Sequence, residues 1–283
     1  MSEGVTSDEG IAPIPNEPPT SVEIDKPNAA RIYDYMLGGS HNFEVDRRFA
    51  EDMMAATNST PRSYRMNRSF LRRAVKFMVD DGIDQFLDLG SGIPTVGNVH
   101  EIAQSINPDV RVVYVDNEPV AVSHSRRMLA DNPNAIIVDA DLRDARAVLG
   151  HPETQRMLDF TRPIGLLMVA IFHFIPDRDR PIEIVARYRR ALRGGGFLAM
   201  SHFTGDDQAV AMAANGAQWY QQTANPLIMR TRTEFEALLT DVELLPPGVA
   251  WVQQWRPDNS DPELDAPSQS AIYAAVGRLV PFR

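Results

Sequence analysis

Cysteine is absent from the 283-residue chain. Disulfides, a thiolate zinc site and any reaction carried by a cysteine nucleophile are therefore excluded, the covalent route to cytosine C5 methylation among them. Long apolar runs are missing as well. The most extended, "PIGLLMVAIFHFIP" over 163–176, falls short of the ~20 residues that span a bilayer. The first residues show neither the basic start nor the apolar stretch of a secretory signal. A cytoplasmic protein without membrane attachment is the expectation. Basic residues are in deficit, giving a net charge of −10, but six acidic residues between Glu3 and Asp25 account for most of it. The rest of the chain is only mildly acidic, and that balance does not favour a nucleic acid as partner.

What is present is an alternation of short apolar runs and helical stretches, with 43% hydrophobic residues to build a core. Residues 1–25 combine four prolines with acidic and small side chains, the composition of a disordered tail. Residues 26–82 read as helices, one stopping at Gly38-Gly39 and one starting on Pro61 and ending at Gly82, which predicts an N-terminal helical cap. From residue 83 to 283, strands are expected at 85–90, 111–116, 135–140, 164–172 and 196–203. Crossover helices are expected over 95–106, 118–131, 144–159 and 179–193. A helix over 231–240 and two late strands near 249–255 and 271–279 complete an α/β fold, a mostly parallel sheet with helices on both faces.

The first strand runs into "LDLGSGIPTVGN", a glycine turn of the kind that holds a nucleotide beyond the carboxyl ends of parallel strands. Asp116, ending the second strand, suits the ribose hydroxyls of a dinucleotide or of S-adenosylmethionine (SAM) equally. Asp88 discriminates: a carboxylate at the end of the first strand repels a pyrophosphate and attracts the ammonium of SAM. Gly90, Gly92 and Gly97 miss the dinucleotide spacing, and Pro94 removes a backbone donor where phosphate would need one. In "DADLRD", Asp139 or Asp141 can either face the adenine amino group or cap the next helix.

"DLGSGIPTVGN", "VVYVDNEPVAVSHSR", "DADLRD" and "LLMVAIFHFIPD" in this order resemble a class I SAM-dependent methyltransferase. With "RIYDYMLGGSHNFEVDR", "NRSFLRRAV" and "TEFEALL" they are similar to a bacterial family of S-adenosyl methyltransferases formerly described as a domain of unknown function. The resemblance implies a Rossmann-like, seven-stranded sheet with one antiparallel edge strand, SAM as cofactor and S-adenosylhomocysteine (SAH) as product. It also implies that Asp88, Gly90, Ser91 and Gly92 line the methionine end of SAM, Asp116 the ribose, Asn117 the adenine side, and Asp141 with Leu142 the adenine edge. Ile93-Pro94 departs from the small residue that follows the glycines in many class I members.

Methyl transfer asks a protein to align the acceptor, exclude water and in some cases remove a proton. After the fourth strand, His173 can reach the crevice as a base or pack beneath the cofactor. Tyr33, Tyr35, His41, Asn42 and Phe43 mix aromatic and amide groups beside a glycine turn, as a pocket wall would, and the tyrosines serve equally as cap core. His202 and Trp219 close the far side or simply pack. On the helix from Pro61, Arg68 can pair with the SAM carboxylate, or its basic face can be solvated. No asparagine or aspartate precedes Pro-Pro and an aromatic, which disfavours amino methylation of DNA bases. The expected activity is methyl transfer from SAM to an oxygen or nitrogen of a small molecule; the alternative is a SAM-binding regulator or sensor without turnover.

Overall fold

The computed structural model describes residues 23–56, 61–95, 97–207, 220–221, 223–258 and 267–281. The expected tail falls almost wholly outside them, as does Trp219. Asn28 opens the first helix, its side-chain oxygen accepting from the Ala30 N–H at 2.8 Å, and α1 (Ala29–Met36) gives way to Gly38 at φ +84°. α2 (Glu44–Ala56) and α3 (Pro61–Asp80) follow, α3 starting on its proline and ending before Gly82.

The alternating part comprises β1 (Gln85–Leu89), α4 (Val99–Gln104), β2 (Arg111–Asp116), α5 (Pro119–Met128), β3 (Ala135–Asp139), α6 (Ala145–Gly150) and α7 (Pro152–Met157). It continues through β4 (Ile164–Val169), α8 (Pro181–Ala191), β5 (Gly196–Phe203), α9 (Arg232–Leu238), β6 (Glu243–Leu244), β7 (Ala250–Trp251) and β8 (Ile272–Leu279). The strand order is β3-β2-β1-β4-β5-β8-β6, with β7 also pairing with β8. β1 to β5 are parallel, and β8 runs antiparallel to β5 at the sheet's far side. The described residues thus form eight strands where seven were expected: the two-residue β7 falls within the strand expected near 249–255, and the two-residue β6 beside β8 is the addition.

Three local departures have identifiable causes. The expected helix over 144–159 breaks into α6 and α7 at His151, which precedes Pro152 and is held extended (ψ 132°) by the proline ring. β4 stops at Val169 because Ala170 takes φ +57° and a 3-10 turn begins at Phe172. Beyond Trp251 the chain leaves the sheet, with the Val252 and Trp255 carbonyls accepting from the buried Arg73 guanidinium at 2.7 and 2.9 Å.

Alternation along the strands sorts the core onto two faces. Phe86, Val112, Leu167, Phe197 and Val276 face a cluster that includes Ile32, Phe49 and Phe70 from α1, α2 and α3. Leu87, Val113, Leu166, Leu198 and Ala275 face one that includes Val148, Tyr188 and Phe235 from α6, α8 and α9. The order reverses between β1 and β4, so a crevice opens beyond their carboxyl ends.

Candidate functional site

Two adjoining hollows lie in that crevice and share Gly90, Asp116, Asn117, Ile171, Phe174 and Asn225. One, of about 380 Å³, extends past Val115, Asp141, Leu142 and Ile175. The other, of about 110 Å³, reaches Asp88, Ser91, Gly92, Arg68, Tyr33 and His173. The cleft therefore gathers from β1, β2 and the β3–α6 loop the residues expected to hold SAM.

The turn after β1 is built for close approach. Gly90 has φ +72°, and a Cβ there would come within 2.3 Å of the Ile171 side chain; Gly92 has φ +67°, and a Cβ there would enter open space. The Gly92 N–H donates to Asp116 Oδ2 at 2.7 Å and the Glu118 N–H to Oδ1 at 2.9 Å. These bonds aim the Asp116 carboxylate into the cleft while leaving each oxygen a second lone pair. Burial raises its pKa, with the backbone donors opposing.

Asp88 is more exceptional. Burial lifts its pKa to about 7, opposed by the Arg68 guanidinium and reinforced by Asp116. A cationic group placed beside it would relieve that penalty. Ser91 Oγ is buried without a hydrogen-bond partner, and Arg68 Nη2 donates to the Gly97 carbonyl at 2.8 Å. An amino-acid end carrying both ammonium and carboxylate matches this donor and acceptor set, which is the chemistry of SAM's methionine moiety.

At the other end, Asp141 lines the cleft and Asp139 does not. The capping alternative goes to Asp144, which accepts from the Ala147 N–H at 2.9 Å. Burial pushes the Asp141 carboxyl up, but Arg143, donating from Nε at 2.9 Å, brings it below its ordinary value. Arg143 also reaches Asp179 at 3.0 Å and so ties the β3–α6 loop to the segment after β4.

His173 lines the cleft and is buried, with its Nδ1 facing the Phe203 N–H at 3.4 Å. Burial first, then the nearby His202 and Arg230, hold it well below its usual pKa, so it stays neutral. Tyr33 also lines the cleft, and its hydroxyl accepts from Asn67 Nδ2 at 2.9 Å.

The other expected acceptor-side residues that lie among the described residues are not in the lining. Asn42 Nδ2 and the His41 N–H both donate to the buried Asp34 carboxylate, at 2.8 and 2.9 Å, so this loop satisfies an internal acid rather than a ligand. The His41 ring stacks on His124 at 3.7 Å between centroids, and Phe43 lies under the Arg31 guanidinium. His202 is fully buried behind the cleft, donating from Nδ1 to the Phe203 carbonyl and accepting from Arg230 on Nε2 at 2.9 Å. Burial lowers its pKa to about 3. Tyr35 is paired with Glu51 away from the cleft.

Sequence reasoning missed Asn67, Tyr64, Phe174, Phe203 and Tyr220, all of which line the smaller hollow. Asn67 had a signal, the Asn-Arg pair on α3. The aromatics had none, since apolar spacing assigns such residues to the core.

The family described as S-adenosyl methyltransferase matches residues 15–280. A candidate methyltransferase from Thermobifida fusca YX is 40% identical in sequence, covering 93% of this chain and 98% of that one with a TM-score of 0.85. A DUF574 family protein from Streptomyces avermitilis MA-4680 is 38% identical, covering 90% and 98% with a TM-score of 0.85. No curated relative matches the chain.

Proposed function

The chain belongs to the S-adenosyl methyltransferase family and is a SAM-dependent enzyme with a class I, Rossmann-like fold, and we propose that its acceptor is a small molecule methylated at oxygen or nitrogen. The observation that carries the site assignment is the convergence of Asp88, Ser91 and Asp116 on one cleft at the ends of β1 and β2. When bound, SAM supplies a methyl group on a sulfonium, already a good leaving group.

The protein's own part is binding, orientation and exclusion of water. Asp88 accepts from the cofactor's ammonium and Ser91 Oγ bonds its amino-acid end, while Arg68 attracts the carboxylate. Asp116, fixed by the Gly92 and Glu118 N–H groups, accepts from the ribose hydroxyls. Asp141 would accept from the adenine amino group, and Asn117, Leu142 and Ile171, which line the same hollow, would hold the ring. Tyr33 and Asn67, from α1 and α3, wall the acceptor side. Residues 26–82 thereby act as a cap over the core that follows, although α3 is also part of that core. His41, Asn42 and Phe43 hold the cap's loop in place.

Calorimetric titration with SAM, SAH and NAD tests this assignment. Micromolar binding of SAM and SAH, no NAD signal, and loss of binding of at least ~100-fold in Asp116→Ala are expected. NAD binding without SAM would overturn it.

A further inference from the structure

We infer that the methyl acceptor is an uncharged, planar aromatic heterocycle that is alkylated at a ring nitrogen. This rests on the reading of the cleft as the SAM site and comes from what surrounds its acceptor side.

The first observation is the shape and polarity of the walls. Tyr33, Tyr64, Phe174, Phe203 and Tyr220 line the smaller hollow. Tyr33 and Tyr64 meet edge to face at 5.0 Å and Tyr64 and Phe203 at 5.9 Å, while Phe174 and Tyr220 are tilted at 45° with centroids 5.9 Å apart. Rings held by their neighbours in this way present fixed faces and edges, which suit a flat π ligand better than a branched aliphatic one.

The second observation is where the polar groups are spent. Tyr64 and Tyr220 hydroxyls bond each other at 3.2 Å. Ser201 Oγ accepts from the Ala170 N–H at 3.0 Å, so its own proton goes to Asn67 Oδ1 at 2.6 Å. That fixes the Asn67 amide, whose Nδ2 donates to Tyr33. The Tyr33 proton has only the Tyr64 carbonyl, at 3.4 Å, and can turn toward a ligand instead.

The third observation concerns proton acceptors. Glu118 is engaged by Arg31 and by the Ala121 N–H, and Asp116 by two backbone donors. Asp88 lies at the glycine turn beside Arg68, at the cofactor end. His173 receives the Phe203 N–H on Nδ1 and is kept neutral beside Arg230. A hydroxyl or a protonated amine would have to give up a proton during transfer, and among the described residues this side of the cleft holds no group suited to take it.

A pyridine-type nitrogen has no such requirement, because its lone pair lies in the ring plane and carries no proton. That pair forms the new nitrogen–carbon bond as the carbon–sulfur bond breaks, and its electrons return to sulfur. The sulfonium becomes a neutral thioether, the positive charge passes to the ring, and no proton is released. The aromatic walls face that cation throughout.

The test uses the full-length protein with isoquinoline, 2-naphthol and 1,2,3,4-tetrahydroisoquinoline, preceded by calorimetry with SAH. Isoquinoline is expected to bind the SAH complex about tenfold more tightly than its protonated, partly saturated relative. With SAM it should yield N-methylisoquinolinium, identified by mass, with no proton release in weakly buffered indicator solution. Phe203→Leu should weaken isoquinoline about fivefold while SAH affinity is retained. Preferential methylation of 2-naphthol or the amine with release of a proton would overturn the inference, as would SAH binding with no affinity for isoquinoline. Failure of SAH itself to bind would overturn the cofactor assignment instead.

Discussion

Arg31 Nη1 lies 3.0 Å from Glu118 Oε1, with both side chains buried, and joins the first helix to the turn that carries Asp116. The same guanidinium donates from Nε to Asp46 at 2.8 Å and from Nη2 to the Lys26 carbonyl at 2.6 Å. Glu118 in turn caps α5 by accepting from the Ala121 N–H at 2.7 Å. The N-terminal helices and the proposed ribose-binding turn therefore share one charge centre. Arg31→Met leaves two buried carboxylates uncompensated and is expected to cost about 3–5 kcal/mol in urea unfolding. SAM affinity should fall with it, because the Asp116–Glu118 turn loses its anchor. An unchanged unfolding midpoint would refute the coupling.

Asp88 sets an expected pH dependence. Its pKa in the ligand-free protein is about 7, against an ordinary 3.8. The cofactor's ammonium favours the ionised form, so SAM affinity should decline as pH falls below about 7, approaching tenfold per unit. For folding the sign is opposite. A carboxyl with a raised folded pKa costs stability that grows from pH ~4 to ~7 and stays constant above that. Asp88→Asn should therefore stabilise the ligand-free protein at pH 8 by a few kcal/mol, on the order set by that shift, while weakening SAM and flattening its pH profile. Calorimetry between pH 5.5 and 8.5 and urea unfolding at pH 8 check the two signs separately. A mutant that binds SAM with the parent's pH profile would remove Asp88 from the ammonium site.

The parallel sheet was legible because each strand is a short apolar run bounded by turn residues, and the proposed cofactor end could be read because acids and glycines at strand ends have few other uses. The acceptor end was not. Tyr64, Phe203 and Tyr220 are buried aromatics like any others until the fold turns one edge of each toward a cavity. Asn42 and His202 misled for the converse reason, since polar side chains near a turn or strand end serve buried groups of the protein as readily as ligands. Arg31, Arg73 and Arg230 look like surface charge in the sequence, yet each is buried and spends donors on carbonyls or acids far away in the chain. No local pattern signals such partners. The short strand β6 was missed because two residues carry no periodicity.

Gly90 is expected to tolerate no side chain without a compensating change. Gly90→Ala places a Cβ 2.3 Å from Ile171 Cγ1 at a backbone φ of +72°, combining a clash with a left-handed penalty of about 1–2 kcal/mol. Ile171→Ala in the same chain should relieve the clash and leave the backbone penalty, giving a coupling of about 0.5–3 kcal/mol between the two sites. Urea unfolding of the four proteins in the cycle measures it. Strict additivity would mean that the turn shifts away from Ile171 and that the contact does not set the cleft's width.

Arg230 clamps the turn that carries His173. It donates to the Phe172 and Ile175 carbonyls at 3.0 and 2.9 Å, to His202 Nε2 at 2.9 Å and to Asp177 at 2.6 Å. Only a planar guanidinium spans such a set, so Arg230→Lys should restore little of what Arg230→Met loses. Both variants leave buried carbonyls short of donors, and a loss of about 2–4 kcal/mol is expected, at about 1–3 kcal/mol per orphaned acceptor. Since Ile171, Phe174 and Ile175 on this turn line the cleft, SAM binding should weaken in parallel. The histidine signals add an independent check. In the parent, burial and the neighbouring positive charge keep His202 neutral down to about pH 3. Removing that charge in Arg230→Met should raise its titration midpoint, while Arg230→Lys, which retains a cation, should raise it less. An NMR titration in which both variants leave His202 untouched would show that the guanidinium's electrostatic influence on this turn is negligible.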